Sequence, residues 1–466
     1  MLGDTQIATV APAARRPVAI PAALLAIAIA ACVAWSAQIS ALRMAVRSAG
    51  ALANVRTPIK PLTLTLQRAA FESGHILPVY GSSELYCCGH PYRPTQLFAS
   101  EPTGFDAFAI GRRGMGNLLF TQTFGALGRT LQDKKLVLID SPPWFSNTDE
   151  AEAQAYAGNF SPEIAGAFIF ESPISLPLKE ATARRMLDYP ATLADEPLLR
   201  LAVRTLADPT PLHLAEYFAI APLGRLTTWV ERVRDAVLTR RFLRPYRKPP
   251  ESSPPHRGHL DWSALAARAT KIAERRNSTN PFGFPNRSYS YLLKNGIIGD
   301  ALAVYHSGAT NRNGELYPVP AEWEQSMSRS VEWTDLQLAA SVLHELGARP
   351  FVWTMPMPGP YDDYTVLSAP ARQAYYERWT RALDEARVPG LDFRFADEEP
   401  YFLTDTGAHF SPRGWILADL ALDMFWHDRP IEEIRVALAT LARQVPAPPA
   451  AFAWPTAAKP NGEAPR

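Results

Sequence analysis

Cysteine is scarce in this chain. Three occur among 466 residues: Cys32, Cys87 and Cys88. Two of them are chain neighbours, and a disulfide between neighbours is strained. The set builds neither a disulfide framework nor a thiolate metal site, so Cys87 and Cys88 read as small buried thiols. An excess of charge of either sign is also missing, since 47 Lys and Arg balance 46 Asp and Glu for a net charge of +1. That balance excludes the broad basic field of a nucleic-acid binder. No metal-ligand spacing and no nucleotide-binding glycine motif is present, so neither a metal nor a cofactor is expected.

Proline, by contrast, is plentiful at 43 residues, and 47% of the chain is hydrophobic, as in an ordinary globular protein. The length suits one or two domains. Pro17 to Trp35 is an uncharged stretch of 19 residues. It is just long enough to cross a bilayer, which takes about 20 apolar residues as a helix. Trp35 would sit at the interface. A signal peptide cleaved near Ala34 and Ser36, or a lipoprotein box ending at Cys32, is the alternative reading. Arg15 and Arg16 precede the stretch and Arg43 and Arg47 follow it, so basic residues do not orient it.

An α/β rhythm begins after residue 70. Apolar runs at 76–80, 105–110, 135–139, 350–354 and 391–395 predict five strands. The third, Leu136-Val137-Leu138-Ile139, is continuously apolar, as in a parallel strand covered on both faces. Helical spacing over 116–130 lies between the second and third strands, the βαβ signature of a parallel sheet. Helices are also predicted from Thr334, where Thr334 and Gln337 fit a capping box, and over 371–386 and 414–425. The rhythm breaks between 146 and 330, which reads as a mostly helical insertion with a basic, proline-rich stretch over 240–250. The expected organisation is a tail over 1–16, an anchor over 17–36 and a helical lead-in over 37–70. A catalytic core follows over 71–145 and 331–430, with a disordered Pro/Ala-rich tail over 444–466.

The chemistry lies in two loops. Ser83 stands in Tyr80-Gly81-Ser82-Ser83-Glu84-Leu85, just after the first strand. Asp405 and His409 share a loop after the fifth. A serine hydroxyl is a weak nucleophile until an imidazole takes its proton, and a carboxylate holds that imidazole and stabilises its cation. Brought together, the three would carry acyl transfer through an ester on serine. Arg112 and Gly114 follow the second strand, Trp144 the third and Tyr361 and Asp362 the fourth. All therefore fall at carboxyl ends of strands, where open α/β sheets bind ligands.

These strings, with His90-Pro91, Ile110-Gly111-Arg112-Arg113-Gly114, Ser141-Pro142-Pro143-Trp144-Phe145, Tyr361-Asp362-Asp363-Tyr364 and Ser411-Pro412-Arg413-Gly414-Trp415, resemble the SGNH (GDSL-like) hydrolase superfamily. Within it the chain is similar to the D-alanine transfer proteins of lipoteichoic-acid alanylation, over most of residues 17–427. The Asp405 and His409 loop resembles the superfamily's Asp-x-x-His block. The resemblance implies a three-layer α/β sandwich on a five-stranded parallel sheet, with an N-terminal transmembrane helix. It implies Ser83 as nucleophile, His409 as base and Asp405 as its partner. The oxyanion donors would be the N–H groups of Ser83 and Gly114. The superfamily's Gly-x-Asn-Asp block is absent, which leaves Asn147 as a nearby candidate.

The expected protein is thus a single-pass membrane protein with its catalytic domain outside the cytoplasm. It would move D-alanyl, or another acyl group, onto an envelope glycopolymer or glycolipid, with a membrane-bound O-acyltransferase as partner by resemblance. The basic stretch offers contact with anionic membrane lipid, or is a solvated loop. Arg112 is a candidate for an anionic polymer or for a surface ion pair, Trp144 for a substrate platform or for the core, and Tyr361 and Asp362 for the acceptor groove and the aminoacyl ammonium. Glu84 reads as a first-turn carboxylate favoured by a helix dipole. His90 and the His427-Asp428 pair read as structural. Two rivals stand beside this reading: an O-acetyl esterase or transferase acting on an exported polysaccharide, and a non-catalytic accessory subunit of an acyltransferase complex.

Overall fold

The computed structural model describes residues 19–86, 91–147, 149–246, 260–276, 320–359, 362, 367–405 and 409–447. Five strands make one sheet: β1 (Ile76–Gly81), β2 (Asp106–Gly111), β3 (Lys135–Asp140), β4 (Arg349–Thr354) and β5 (Gly390–Asp392). Every pairing is parallel, in the spatial order β2-β1-β3-β4-β5. The order reverses between β1 and β3, which makes their carboxyl ends the switch point of the sheet. β5 is shorter than its apolar run predicts. Phe393 turns out of extended conformation at φ −97°, ψ 23°, and Arg394–Ala396 curl into a 3-10 turn.

Among the described residues the helices are α1 (Ala19–Ala53), α2 (Leu64–Glu72), α3 (Pro94–Ser100), α4 (Asn117–Leu127) and α5 (Asp149–Asn159). They continue with α6 (Pro162–Glu171), α7 (Leu176–Met186), α8 (Pro197–Ala207), α9 (Pro211–Phe242) and α10 (Trp262–Arg276). The last are α11 (Pro320–Arg329), α12 (Glu332–Glu345), α13 (Ala369–Glu385), α14 (Pro412–Trp426) and α15 (Ile431–Gln444). Alternate strand residues feed two cores, as the two-residue period of a strand requires. Tyr80, Phe108, Ile110, Leu138 and Val352 pack under α1, α2, α4, α12 and α13. Leu77, Val79, Val137, Ile139, Phe351 and Trp353 pack under α3, α10, α14 and α15. The result is helix, sheet, helix: a three-layer α/β sandwich.

α12 begins earlier than the capping box predicts. Its N-cap is Val331, which makes no side-chain cap, and Thr334 lies inside the first turn. Glu332 and Asp335 are buried there, and their packing sets the start of the helix. The stop does fall at Gly347, whose φ of +63° suits glycine.

α1 is one unbroken helix through the expected junction of anchor and lead-in. At 35 residues it is about 50 Å long. Its first half is exposed and apolar, with Leu24, Leu25, Ile27, Val33 and Trp35 uncovered. Its second half buries Ala41, Ala45, Ala49 and Leu52 against α2 and α9. α9, in the insertion, packs against α1 and leaves Phe218, Leu223, Leu226 and Val230 exposed. Residues 1–18, Cys87, Cys88, His90, the end of the basic stretch (247–250), Tyr361, Asp363, Tyr364 and the tail from 448 lie outside the described residues.

Candidate active site

β1 and β2 end side by side with Gly81 opposite Gly111. A Cβ on Gly111 would collide with the Gly81 carbonyl, so glycine lets the two strand ends approach. Past Gly81 the chain curls into a 3-10 turn, Ser83–Leu85, closed by Tyr86 N–H donating to Ser83 O at 3.0 Å. Glu84 does stand in the first turn of this 3-10 helix, and it is buried there. It is 2% exposed and folds back over Gly81, so that its Oε1 accepts from Ser82 N–H. Burial pushes its carboxyl above the usual range, against the hydrogen bonds of the Ser82 and Glu84 N–H groups. The effect is a 3-10 turn fixed from below, with Ser83 on top.

The second loop arrives from the other end of the chain. Leu403 bridges Phe410, and Thr404 N–H donates to His409 O at 2.8 Å. Ser411 caps α14 by accepting from Arg413 N–H at 3.0 Å and Gly414 N–H at 3.2 Å. This frame presents His409 toward Ser83: His409 Nε2 lies 3.0 Å from Ser83 Oγ. His409 Nδ1 lies 2.8 and 2.9 Å from the two oxygens of Asp405. An ionised carboxylate only accepts, so Nδ1 carries the proton and Nε2 is left to accept from the serine. Burial alone would lower the imidazole pKa, but the Asp405 hydrogen bond and charge outweigh it and hold it above its ordinary value. Three residues separate Asp405 from His409, one more than in the Asp-x-x-His block that the loop resembles, and the carboxylate still reaches Nδ1.

The other candidates are placed less simply. Gly114, at φ +79°, donates its N–H to Ser82 Oγ at 3.1 Å. The N–H of this oxyanion candidate is therefore occupied by a hydroxyl neighbouring the nucleophile. Arg112 donates to Gly158 O at 2.9 Å on the rim. Trp144 is mostly buried, near Phe120, and with Asn147 and Gly114 it lines a cavity beside the loop after β2. Asp362 is buried, and Tyr361 lies outside the described residues. His427 Nδ1 donates to Asp423 O, while Asp428 pairs with Lys135 and Arg349.

Beneath these loops lies a buried polar network that spacing alone did not reveal. Asp140, the last residue of β3, accepts from Trp379 Nε1 at 2.8 Å and Asn117 Nδ2 at 3.2 Å. Burial still pushes its carboxyl up to about 7. Asn117 Nδ2 also donates to Glu332 Oε2 at 3.1 Å. Arg185 clamps Asp335 with bonds of 2.8 and 2.9 Å and reaches Glu152 at 3.2 Å. The available signal was a pair of acids, Glu332 and Asp335, set one turn apart in an apolar helix.

Residues 60–427, which hold the whole site, match the family model described as DltD protein. The chain belongs to the DltD family. It is 27% identical over 369 residues to Protein DltD of Bacillus subtilis (strain 168), covering 78% of this chain and 85% of that protein. It is 21% identical over 373 residues to Protein DltD of Staphylococcus aureus (strain NCTC 8325 / PS 47), covering 79% and 85%. DltD proteins are D-alanine transfer proteins, involved in the D-alanylation of teichoic acids in the cell envelope.

Proposed function

We propose that this DltD protein is a serine-dependent acyltransferase of SGNH type. In this reading it moves D-alanyl, or a similar acyl group, onto a hydroxyl of an envelope glycopolymer or glycolipid. The carrying observation is the unbroken chain of hydrogen bonds from Asp405 through His409 to Ser83 at the carboxyl end of β1. Ser83 Oγ attacks the acyl carbonyl as His409 Nε2 takes its proton. The imidazolium, held by Asp405, returns that proton to the departing group. The acceptor hydroxyl then attacks the acyl-serine, His409 takes the hydroxyl's proton, and the same proton goes back to Ser83 as the product ester leaves. The oxyanion is met by Ser83 N–H and by Gly114 N–H once Ser82 Oγ turns away from it.

The apolar half of α1 supports a membrane anchor, since it is long enough to cross a bilayer and stands clear of the domain. The exposed apolar side of α9, packed beside α1, would face the same lipid. In this arrangement the domain lies outside the cytoplasm, and a membrane-bound O-acyltransferase supplies the acyl group. The test is a fluorophosphonate probe on the full-length protein in detergent. Wild type should be labelled and Ser83→Ala should not. Absence of labelling in wild type under all conditions would instead favour a non-catalytic accessory role.

A further inference from the structure

The loop after β2 opens with a tight turn. Met115 N–H donates to Arg112 O at 3.1 Å, and Gly114, third in the turn, has φ +79°. This is a type II turn, which takes glycine at its third position. A type I turn joins the same two ends with its central peptide turned over. The central peptide here links Arg113 to Gly114, so the choice between the two turns decides where the Gly114 N–H points. In a planar trans peptide the C=O and N–H point in opposite directions. As the turn stands, the N–H meets Ser82 Oγ at 3.1 Å, beside the nucleophile. Turned over, the same peptide would offer its carbonyl there, and a carbonyl oxygen repels an oxyanion.

Helix α5 holds the turn as it stands. Asn159, the last residue of α5, donates from Nδ2 to Arg113 O at 3.0 Å. The same nitrogen donates to Ala155 O at 2.8 Å. These two carbonyls fix the amide, because the opposite rotamer would set its oxygen against both. Arg112 ties the start of the turn to Gly158 O at 2.9 Å. Gly114 itself lies against α5, since a Cβ on it would stand 3.0 Å from the Cβ of Ala155.

Asn159 is also an awkward residue to bury. It is 6% exposed, and its Oδ1 accepts no hydrogen bond among the described residues. An unmet buried acceptor lowers stability, which an apolar side chain of the same shape would not do. Packing therefore does not account for it, and its donors do. We propose that Asn159 is a positioning residue: by keeping the Arg113 carbonyl on α5 it aims Gly114 N–H at the acyl oxygen on Ser83. The inference rests on the acyl-transfer reading and adds to it what holds the second oxyanion donor in its working orientation. Asn159 touches no reacting atom and acts only through this peptide.

The test is the saturation kinetics of fluorophosphonate labelling on the full-length protein in detergent. Asn159→Leu keeps the volume and removes both the donors and the unmet acceptor. Its maximal labelling rate should fall about ten-fold or more, since one oxyanion donor is worth about 10²–10³ in rate. The half-saturating concentration, the acid limb set by His409 and the melting temperature should stay near wild type. Asn159→Ala, smaller and free of any clash, should show the same selective loss. Gly114→Ala, which disfavours positive φ, acts on the same peptide, so combining it with Asn159→Leu should slow labelling no further than the slower single variant. Labelling of both Asn159 variants as fast as wild type overturns the assignment and leaves the acyl-transfer reading standing. So does a loss that adds in full to that of Gly114→Ala, or one that tracks a fall in melting temperature. A wild type that takes no label overturns the acyl-transfer reading, and this inference with it.

Discussion

His409 Nε2 lies 3.0 Å from Ser83 Oγ although 326 positions separate the two residues in the chain. Nothing local holds them together. One rides on a 3-10 turn at the end of β1, the other on a loop pinned between a Leu403–Phe410 bridge and the cap of α14. Replacing the imidazole should therefore remove the proton acceptor and leave both frames in place. His409→Ala should lower the rate of fluorophosphonate labelling at Ser83 by about 10²–10⁴-fold, with circular dichroism and melting temperature close to wild type. A rate within a few-fold of wild type would show that the serine is activated by another group.

Asp405 sets the pH at which that imidazole works. His409 must be neutral to accept a proton, and Asp405 raises its pKa against the lowering effect of burial. Labelling by wild type should therefore fall as pH drops through a value above the ordinary imidazole pKa of about 6.5. In Asp405→Asn the raising charge of Asp405 is lost, while burial and the smaller raising effect of Glu84 remain. The acid limb should move to lower pH, and the plateau rate should fall because the imidazolium loses its partner. A limb that stays in place would separate Asp405 from the titration.

The sheet was legible because its strands are continuous apolar runs, and the candidate loops because each follows such a run. Ser83, Gly114, Trp144 and the Asp405–His409 loop gather at the carboxyl ends for that reason. Less visible were features made by packing across the sequence. Glu84 reads correctly as a first-turn acid, but its burial depends on the absence of a Cβ on Gly81, which gives its side chain somewhere to fold. Thr334 fits a capping box in sequence, yet α12 starts at Glu332, whose carboxyl bonds Asn117 from 215 positions away. Gly114 matches an oxyanion glycine, while Ser82 Oγ, to which the Gly-Ser-Ser string assigns no role, occupies its N–H.

Two glycines separate close approach from mere helix placement. Gly111→Ala drives a Cβ into the Gly81 backbone, where no side chain can yield. It should cost about 2–3 kcal/mol by denaturant unfolding and slow labelling by displacing the Ser83 turn. Gly158→Ala, in α5 with open space around its Cβ, should stabilise by about 0.5–1 kcal/mol. Equal effects at the two sites would mean that the strand-end contact is not tight.

Asp140 makes the last prediction, because its burial ties stability to pH with a definite sign. Burial raises its carboxyl to about 7 in the folded protein, only partly offset by the hydrogen bonds of Trp379, Asn117 and Ser141 N–H, with Glu84 close by as a further raising charge. The unfolded carboxyl titrates near 3.9. Between these values the folded state holds the proton and the unfolded state has lost it, so the contribution is fully present below about pH 4 and is lost as pH rises through about 7. The swing is about 4 kcal/mol. Asn at this position does not titrate, but it offers one acceptor oxygen where the acid offers two, a loss of about 1 kcal/mol. Wild type should therefore be the more stable protein at pH 4 and Asp140→Asn at pH 8. Their melting curves, measured at half-unit intervals, should cross in between. Parallel curves would mean that Asp140 is ionised throughout and that the network under the active site carries its charge without cost.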